Sequence, residues 1–558
     1  NAYKIQYRVM LSRYRGKTKC NSCNGSRLRA DADYVKINNK SISEINRMAI
    51  SDATLFFKAL KLNSEDQKIA KRIIDEINSR LSYLKDVGLG YLTMERASNT
   101  LSGGESQRIN LATSIGSSLV GSMYILDEPS IGLHPRDSLR LIEVLKKLRD
   151  VGNSVIVVEH DEEMMKSADM IIDIGPYAGR HGGEVVFKGN HSELVKASKS
   201  LTAKYLTGQF KIEVPKVRRK PKDFIIIEQA YLHNLQNITV KIPLNQICVV
   251  TGVSGSGKST LIGKILHTFL ERFFLTGLVK ASHCNDIKMN FDLVSGVEYI
   301  NQNPIGKSSR SNPITYTKGY DDIRQLFASE KHAKAKGFKP GYFSFNVDGG
   351  RCEKCQGEGQ LTISMQFMAD VHLKCDECDG KRFKEEVLEV KFKGKNISQV
   401  LEMTVEESLD FFNEDNTLCK KIKAKIFALS EVGLEYVQLG QASNTLSGGE
   451  AQRIKLASFL SHNKSKQKKL FIFDEPTTGL HFHDVKKLIK ALQDLVEMGH
   501  HVVIIEHHMD IIKSADWIVD LGPEGGDKGG TLVFEGSPES FVKSKVLSPT
   551  KDHLKEYI

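Results

Sequence analysis

The stretch NTLSGGESQRINLA begins at Asn99, and NTLSGGEAQRIKLA begins at Asn444. This duplication constrains the fold more than any other feature, because repeats fix domain organisation before local pattern does. It extends well past the glycines. YILDEPSIGLHPRD from Tyr124 answers FIFDEPTTGLHFHD from Phe471. SVIVVEHDEEMMKSADMIIDIGP from Ser154 answers HVVIIEHHMDIIKSADWIVDLGP from His501. Asp127 and Asp474, His160 and His507, and Asp173 and Asp520 are all related by one offset. The chain therefore holds two copies of one domain. The first is read over residues 1–212 and the second over 224–558. The basic, proline-punctuated stretch EVPKVRRKPKD at 213–223 reads as a linker between them.

The copies differ at the front. The second carries ICVV, an apolar run that reads as a buried strand, followed by GVSGSGKS from Gly252 to Ser259 and a helically spaced segment. Strand, glycine loop and helix form the context in which G-x-x-x-x-G-K-[ST] cradles phosphate. Gly252, Gly255 and Gly257 let the backbone curl, so that its N–H groups face phosphate oxygens at a helix N-terminus. Val253, Ser254, Ser256 and Thr260 complete the cradle. Lys258 is expected to reach the β- and γ-phosphates of ATP, and Ser259 to ligate Mg²⁺. The first copy's equivalent would fall before residue 1. The opening NAYKIQYRVM, without an initiator Met or a signal-peptide core, reads like a cut into a longer protein.

The strand-ending acids of LFIFDEP supply the rest of a phosphate site. Asp474 is expected to hold Mg²⁺ through water, and Glu475 to orient or deprotonate the attacking water. His507 closes the strand HVVIIEH and is assigned to the γ-phosphate or to that water. Gln302, ending the strand in VEYINQ, is assigned to sensing metal and γ-phosphate. LSGGE opens a helix, so its serine and glycines offer a second anion-binding surface. It resembles the signature motif of ABC ATPases, which closes on ATP held by an opposing domain. By that resemblance, Ser102, Gly103 and Gly104 of the first copy serve the phosphate loop of the second. One competent nucleotide site per chain is expected.

Six of the nine cysteines form CxxC pairs. Cys352-x2-Cys355-x19-Cys375-x2-Cys378 has the spacing of a tetrahedral zinc site. Cys20 and Cys23 align with Cys375 and Cys378 and read as half of a second site. Paired knuckles in a chain with no secretory signal point to metal in a reducing compartment, not to disulfides. The knuckle alone also suits a DnaJ-type chaperone, but that reading leaves the phosphate motifs idle. A transporter ATPase shares the phosphate motifs but has no use for the cysteines.

The combination is more specific. VTGVSGSGKSTLI, NQNPIGKSSRSNPITYT, FSFNVDGGRCEKCQGEG, NTLSGGEAQRIKLA and ADWIVDLGPEGGDKGG together resemble the UvrA family, the damage-recognition subunit of bacterial excinuclease ABC. The resemblance implies tandem ABC-type ATPase domains of α/β fold, with a zinc-bearing insertion at about 284–430 in the second. It implies a cytoplasmic ATPase that binds damaged double-stranded DNA as a homodimer and loads a UvrB-type subunit. It places the UvrB contact in the part upstream of residue 1. Incision is expected to belong to a partner, since no nuclease constellation stands out. A UvrA-like paralogue devoted to drug resistance is the alternative.

Lysine plus arginine (79) exceeds aspartate plus glutamate (68), a net charge of +11 that permits a polyanionic partner without demonstrating one. Lys307 and Arg310, in the Ser/Asn/Pro-rich IGKSSRSNPITYTKG, are the DNA-phosphate candidates. The lysines of KHAKAKGFKPGYFSF fit DNA or a solvated face equally. Its aromatic residues, Tyr342, Phe343 and Phe345, fit a small core better than base stacking. No run of about 18 apolar residues occurs, so no membrane span is expected.

Overall fold

A computed structural model of the chain describes residues 18–101, 103–116, 120–197, 199–277, 280–306, 308, 310–363, 371–461 and 467–558. Ser102 and Lys307, both named above as site candidates, lie outside the described residues. By packing, the chain divides into two compact units. One comprises residues 1–123 with 143–154, and the other 124–142 with 155–558.

The first unit is helical. Asn63 caps the helix Ser64–Leu84 by accepting from the Asp66 N–H, which satisfies an otherwise orphaned donor of the first turn. Ile50, Ala53, Leu81, Val87, Leu89 and Leu92 are its buried apolar residues nearest that helix in sequence. Gly103 and Gly104 begin the helix Gly103–Gly116. Its Glu105 accepts from the Tyr91 hydroxyl at 2.6 Å.

The second unit contains the second repeat entire. Its core is a six-stranded sheet ordered Gly296–Ile300, Lys469–Asp474, His501–Ile505, Ile247–Gly252, Trp517–Gly522, Thr531–Gly536. The first five strands run parallel and the last is antiparallel. Ile247–Gly252 is buried at every position, the near-continuous apolar pattern expected of a parallel strand covered on both faces. One face is covered by the helix after the phosphate loop, whose Leu261, Ile262, Ile265 and Leu266 share a core with Leu470, Ile472, Val503 and Ile505. A separate antiparallel sheet of Phe224–Ala230, Ile238–Pro243 and Asp286–Lys288 joins the same core.

The strands of the first repeat form two separate pairs. Met123–Asp127 pairs with Ser154–Val158, and Ile171–Gly175 with Glu184–Gly189. The stretch at 213–223 has neither helix nor strand and is firmly held. The Arg218 guanidinium reaches Glu539 at 2.8 Å and the carbonyls of Ala515 and Lys513 at 2.9 and 2.7 Å. Arg219 reaches Asp516 at 3.1 Å. The two guanidiniums match carboxylates and helix-end carbonyls, so Arg218 and Arg219 serve docking, while Lys216, Lys220 and Lys222 are exposed.

Candidate nucleotide site and metal centre

Carboxyl ends of parallel strands are where an open α/β sheet presents its ligand crevice. Four of the five parallel strands deliver candidate residues there. Ile247–Gly252 runs into the phosphate loop, with Gly252, Gly255 and Gly257 at φ +130°, +76° and +106°. A Cβ on Gly252 would lie 1.9 Å from the Leu521 carbonyl oxygen of the neighbouring strand, so only glycine fits. The Lys258 ammonium donates to the carbonyls of Gly252 and Val253 at 2.9 and 3.0 Å. Burial pushes it down to about 8, against the pull of Glu475, Asp520, Asp137 and Asp474. Ser256 Oγ is buried without a hydrogen-bond partner, as suits a group awaiting an anionic oxygen. Ser259 is exposed at the start of the helix.

Asp474 ends its strand beside this loop. It accepts from the Tyr299 hydroxyl at 2.8 Å, and burial raises its carboxyl above the ordinary range. Glu475 follows at φ +49°, a left-handed conformation uncommon outside glycine. Gln302 donates to Thr478 Oγ1 at 3.1 Å, within the same DEPTTG turn. His507 is buried at the end of the next strand. Second-repeat candidates Lys258, Gln302, Asp474, Glu475 and His507 are thus carried by four adjacent strand ends.

Sequence reasoning passed over Glu506. Its carboxylate accepts from the backbone of Thr477 at 3.0 Å and of His508 at 3.0 Å, and also from the Thr477 hydroxyl and the His507 N–H. It clamps the Glu475 turn to the His507 turn. Glu159 does the same in the first repeat, accepting from Ser130 and His160 at 2.9 Å each. The signal was present as an EH pair ending a strand in both copies. Lys455 also went unnoticed. From the signature helix it donates to the carbonyls of Asn301 and Asn303 at 2.9 and 2.7 Å, bracketing Gln302.

The second signature is a helix cap. Ser447 Oγ accepts from the Glu450 N–H while Glu450 accepts from the Ser447 N–H, a reciprocal capping box. Tyr436 donates to Glu450 at 2.7 Å, as Tyr91 does to Glu105. Gly449 has no room for a Cβ, which would lie 2.5 Å from the Thr478 carbonyl oxygen.

Cys352, Cys355, Cys375 and Cys378 converge, with all four Sγ atoms within 4.8 Å of one another. Cys352 and Cys375 are 3.9 Å apart, and Cys355 and Cys378 3.6 Å. A tetrahedron of sulfurs about 2.3 Å from zinc requires separations of about 3.8 Å. The Gly359 N–H donates to Cys355 Sγ at 3.3 Å, an outer-shell contact of the kind that orients metal thiolates. The antiparallel pair Gln360–Ile363 and Val371–Lys374 joins the two knuckles. The residues fit a zinc ion. Cys20 and Cys23 are in no such group among the described residues.

Of the DNA candidates, Arg310 pairs with Glu358 at 3.5 Å, just past Cys355 of the first knuckle. Phe343 and Phe345 are fully buried, and Tyr342 stacks on Phe338 at 4.8 Å. Phe343 and Phe345 thus form core, in line with the packing expectation, while Tyr342 is exposed.

No family model matches the chain. UvrABC system protein A of Clostridium perfringens is 52% identical over 555 residues, covering 98% of this chain and 58% of that protein. The Staphylococcus aureus MRSA252 protein of the same name is 51% identical over 552 residues, again covering 58% of its length. The crystal structure of UvrA2 from Deinococcus radiodurans matches with a TM-score of 0.89 at 38% identity, over 100% of this chain and 68% of that one. The chain belongs to the UvrA family. It spans about 58% of the length of the curated UvrA proteins it matches. The UvrA match carries with it the ABC-type P-loop ATPase fold. Among the described residues, no helix is long and apolar enough to cross a membrane.

Proposed function

We propose that this chain is an ATP-hydrolysing, DNA-binding component of bacterial nucleotide excision repair, gating its grip on damaged duplex by nucleotide state. The observation that carries the reading is the convergence of Lys258, Asp474, Glu475 and His507 on adjoining strand ends, with Glu506 clamping the last two turns together. Lys258 and the loop N–H groups bind the phosphates. Ser259 and Asp474 would hold Mg²⁺, which when bound supplies positive charge to the phosphate oxygens. Glu475 orients the attacking water and takes its proton. His507 and Gln302 report the γ-phosphate. Cys352, Cys355, Cys375 and Cys378 hold zinc and thereby fix the insertion. Damage is chemically diverse, so readout rests on duplex shape and deformability. A homodimer and a UvrB-type partner belong to the same proposal.

The test joins hydrolysis to DNA binding. Purified chain should hydrolyse ATP and bind duplex with steep salt dependence. Lys307→Ala with Arg310→Ala should lower the salt slope by about one per lost phosphate contact while DNA-free hydrolysis persists. Absence of hydrolysis with correctly folded protein would remove the ATPase reading. An unchanged salt slope in the double variant would move DNA binding to another face.

A further inference from the structure

His134 belongs to the first repeat but lies among residues of the second. Its ring is fully buried, and burial holds it well below its ordinary pKa, so it is neutral. Its hydrogen bonds leave one consistent arrangement. The Arg136 N–H donates to Nδ1 at 3.2 Å, so the proton sits on Nε2. Nε2 lies 3.2 Å from Thr550 Oγ1. The Thr550 hydroxyl gives its own hydrogen to Asp520 Oδ1 at 3.1 Å, and Ser548 gives one to Asp520 Oδ2 at 2.6 Å. Each donor therefore has one acceptor along a chain from Arg136 to Asp520. Asp520 precedes Leu521, whose carbonyl closes against Gly252 of the phosphate loop.

The same short segment touches the site at three more points. A Cβ on Gly132, which has φ +65°, would lie 2.9 Å from Glu475 Oε2. The Gly132 carbonyl accepts from Ser254 Oγ of the phosphate loop at 3.3 Å. The His134 ring meets His507 edge to face at 5.9 Å. A buried structural histidine would account for one such contact. It would not account for the whole pattern being built twice. In the other direction, His481 Nδ1 accepts from the His483 N–H at 3.2 Å and its Nε2 lies 3.3 Å from Thr202 Oγ1. Thr202 and Ser200 donate to Asp173 at 3.1 and 2.6 Å. His481 meets His160 edge to face at 6.3 Å, and a Cβ on Gly479 would lie 3.0 Å from Glu128 Oε1.

We propose that His134 is a positioning residue for the second repeat's nucleotide site, clasping the first repeat's segment 132–136 to Asp520 through Thr550 so that Glu475 and His507 are held for hydrolysis. His481 is its counterpart for the first repeat, acting through Thr202 on Asp173. The inference rests on the ATPase reading above, which it deepens by naming His134, Thr550 and Asp520 as the groups that hold segment 132–136 in place.

Thr550→Val keeps side-chain shape and removes the relay hydroxyl. It should lower kcat for ATP about ten-fold with KM changed less than about two-fold, the pattern of a lost interaction that matters after binding. Thr550→Ser should restore most of the rate. Thr202→Val, the same change at the equivalent place, should lower kcat less than about two-fold. His134→Ala combined with Thr550→Val should be no slower than the worse single variant. Equal losses from Thr550→Val and Thr202→Val, or an unchanged kcat in folded Thr550→Val, would overturn the clasp. If Thr550→Val does not fold, Thr550→Ser and His134→Gln carry the same kcat-against-KM comparison. If the wild-type chain hydrolyses no ATP, the ATPase reading falls separately. The clasp is then judged by thermal unfolding, where additive shifts from His134→Ala and Thr550→Val would overturn it.

Discussion

The two repeats share their strand sequences but not their sheets. In the second, Ile247–Gly252 lies between His501–Ile505 and Trp517–Gly522 and pairs with both. In the first, Ser154–Val158 and Ile171–Gly175 hold the equivalent places, and among the described residues no strand joins them. The side chains record the difference. Ile472, Val503 and Val519 are 0% exposed, while their counterparts Ile125, Ile156 and Ile172 are 68%, 47% and 54% exposed. The covering layer in the second repeat comes from the phosphate-loop strand and the helix after it. The strand and helix that flank the glycine loop thus also close the core.

That comparison can be broken at several points, and the metal centre offers the largest effect. Cys355→Ser should reduce bound zinc from about one per chain to none and loosen the insertion, because structural zinc binding of about 10 kcal/mol or more is itself folding free energy. Cys20→Ser should leave zinc content unchanged. Metal analysis with thiol titration distinguishes the two, and a loss of zinc in Cys20→Ser would make the Cys20/Cys23 pair a metal site in its own right.

Glu475→Gln should slow ATP hydrolysis by about 10²- to 10⁴-fold while nucleotide stays bound, the range for removing a general base. Glu128→Gln should leave hydrolysis nearly unchanged. Both glutamates have left-handed backbones, at φ +49° and +45°, so geometry alone does not separate them. Equal losses would mean that both repeats turn over ATP.

Core truncation comes next. Ile472→Ala should cost about 2–5 kcal/mol, as for other buried aliphatic residues. Ile125→Ala, at the equivalent but exposed position, should stay within about 0.5 kcal/mol. Denaturant melts read both, and a large loss at Ile125 would show that its face is covered in solution.

The smallest effect is one of pH. With the Lys258 ammonium pushed down to about 8, the charged form that binds phosphate is complete below that pH and depleted above it. Affinity for a non-hydrolysable ATP analogue should therefore fall as pH rises through about 8, by no more than about ten-fold per unit. Lys258→Arg should flatten the profile, since a guanidinium stays charged throughout.

Much of this was legible in the sequence. Motifs that act through backbone were the most readable: the glycine loop follows a buried strand as read, and Cys352, Cys355, Cys375 and Cys378 converge as their spacing implied. The placement of Asp474 and His507 at adjoining strand ends followed from strand pattern and repeat offset. Residues whose role depends on tertiary approach were not legible. Glu506 and Lys455 look like ordinary charges until their backbone acceptors and donors arrive from segments far along the chain. The docking of Arg218 was hidden for the same reason, since a basic run is also what a solvated linker looks like. His134 was quoted within a motif, but Thr550, its partner, carries no motif at all.

The placement of Ile247–Gly252 also bears on how the chain comes together. Both its sheet neighbours begin after residue 500, so during synthesis this strand is made long before either can meet it. Pairing so distant in sequence has a high loop-closure cost and forms slowly. The helices and cysteine knuckles between them can pack first and draw the two ends together. Until they do, an apolar strand remains uncovered and open to unwanted association. Metal uptake by the insertion would then act on the timing of assembly as well as on the finished protein.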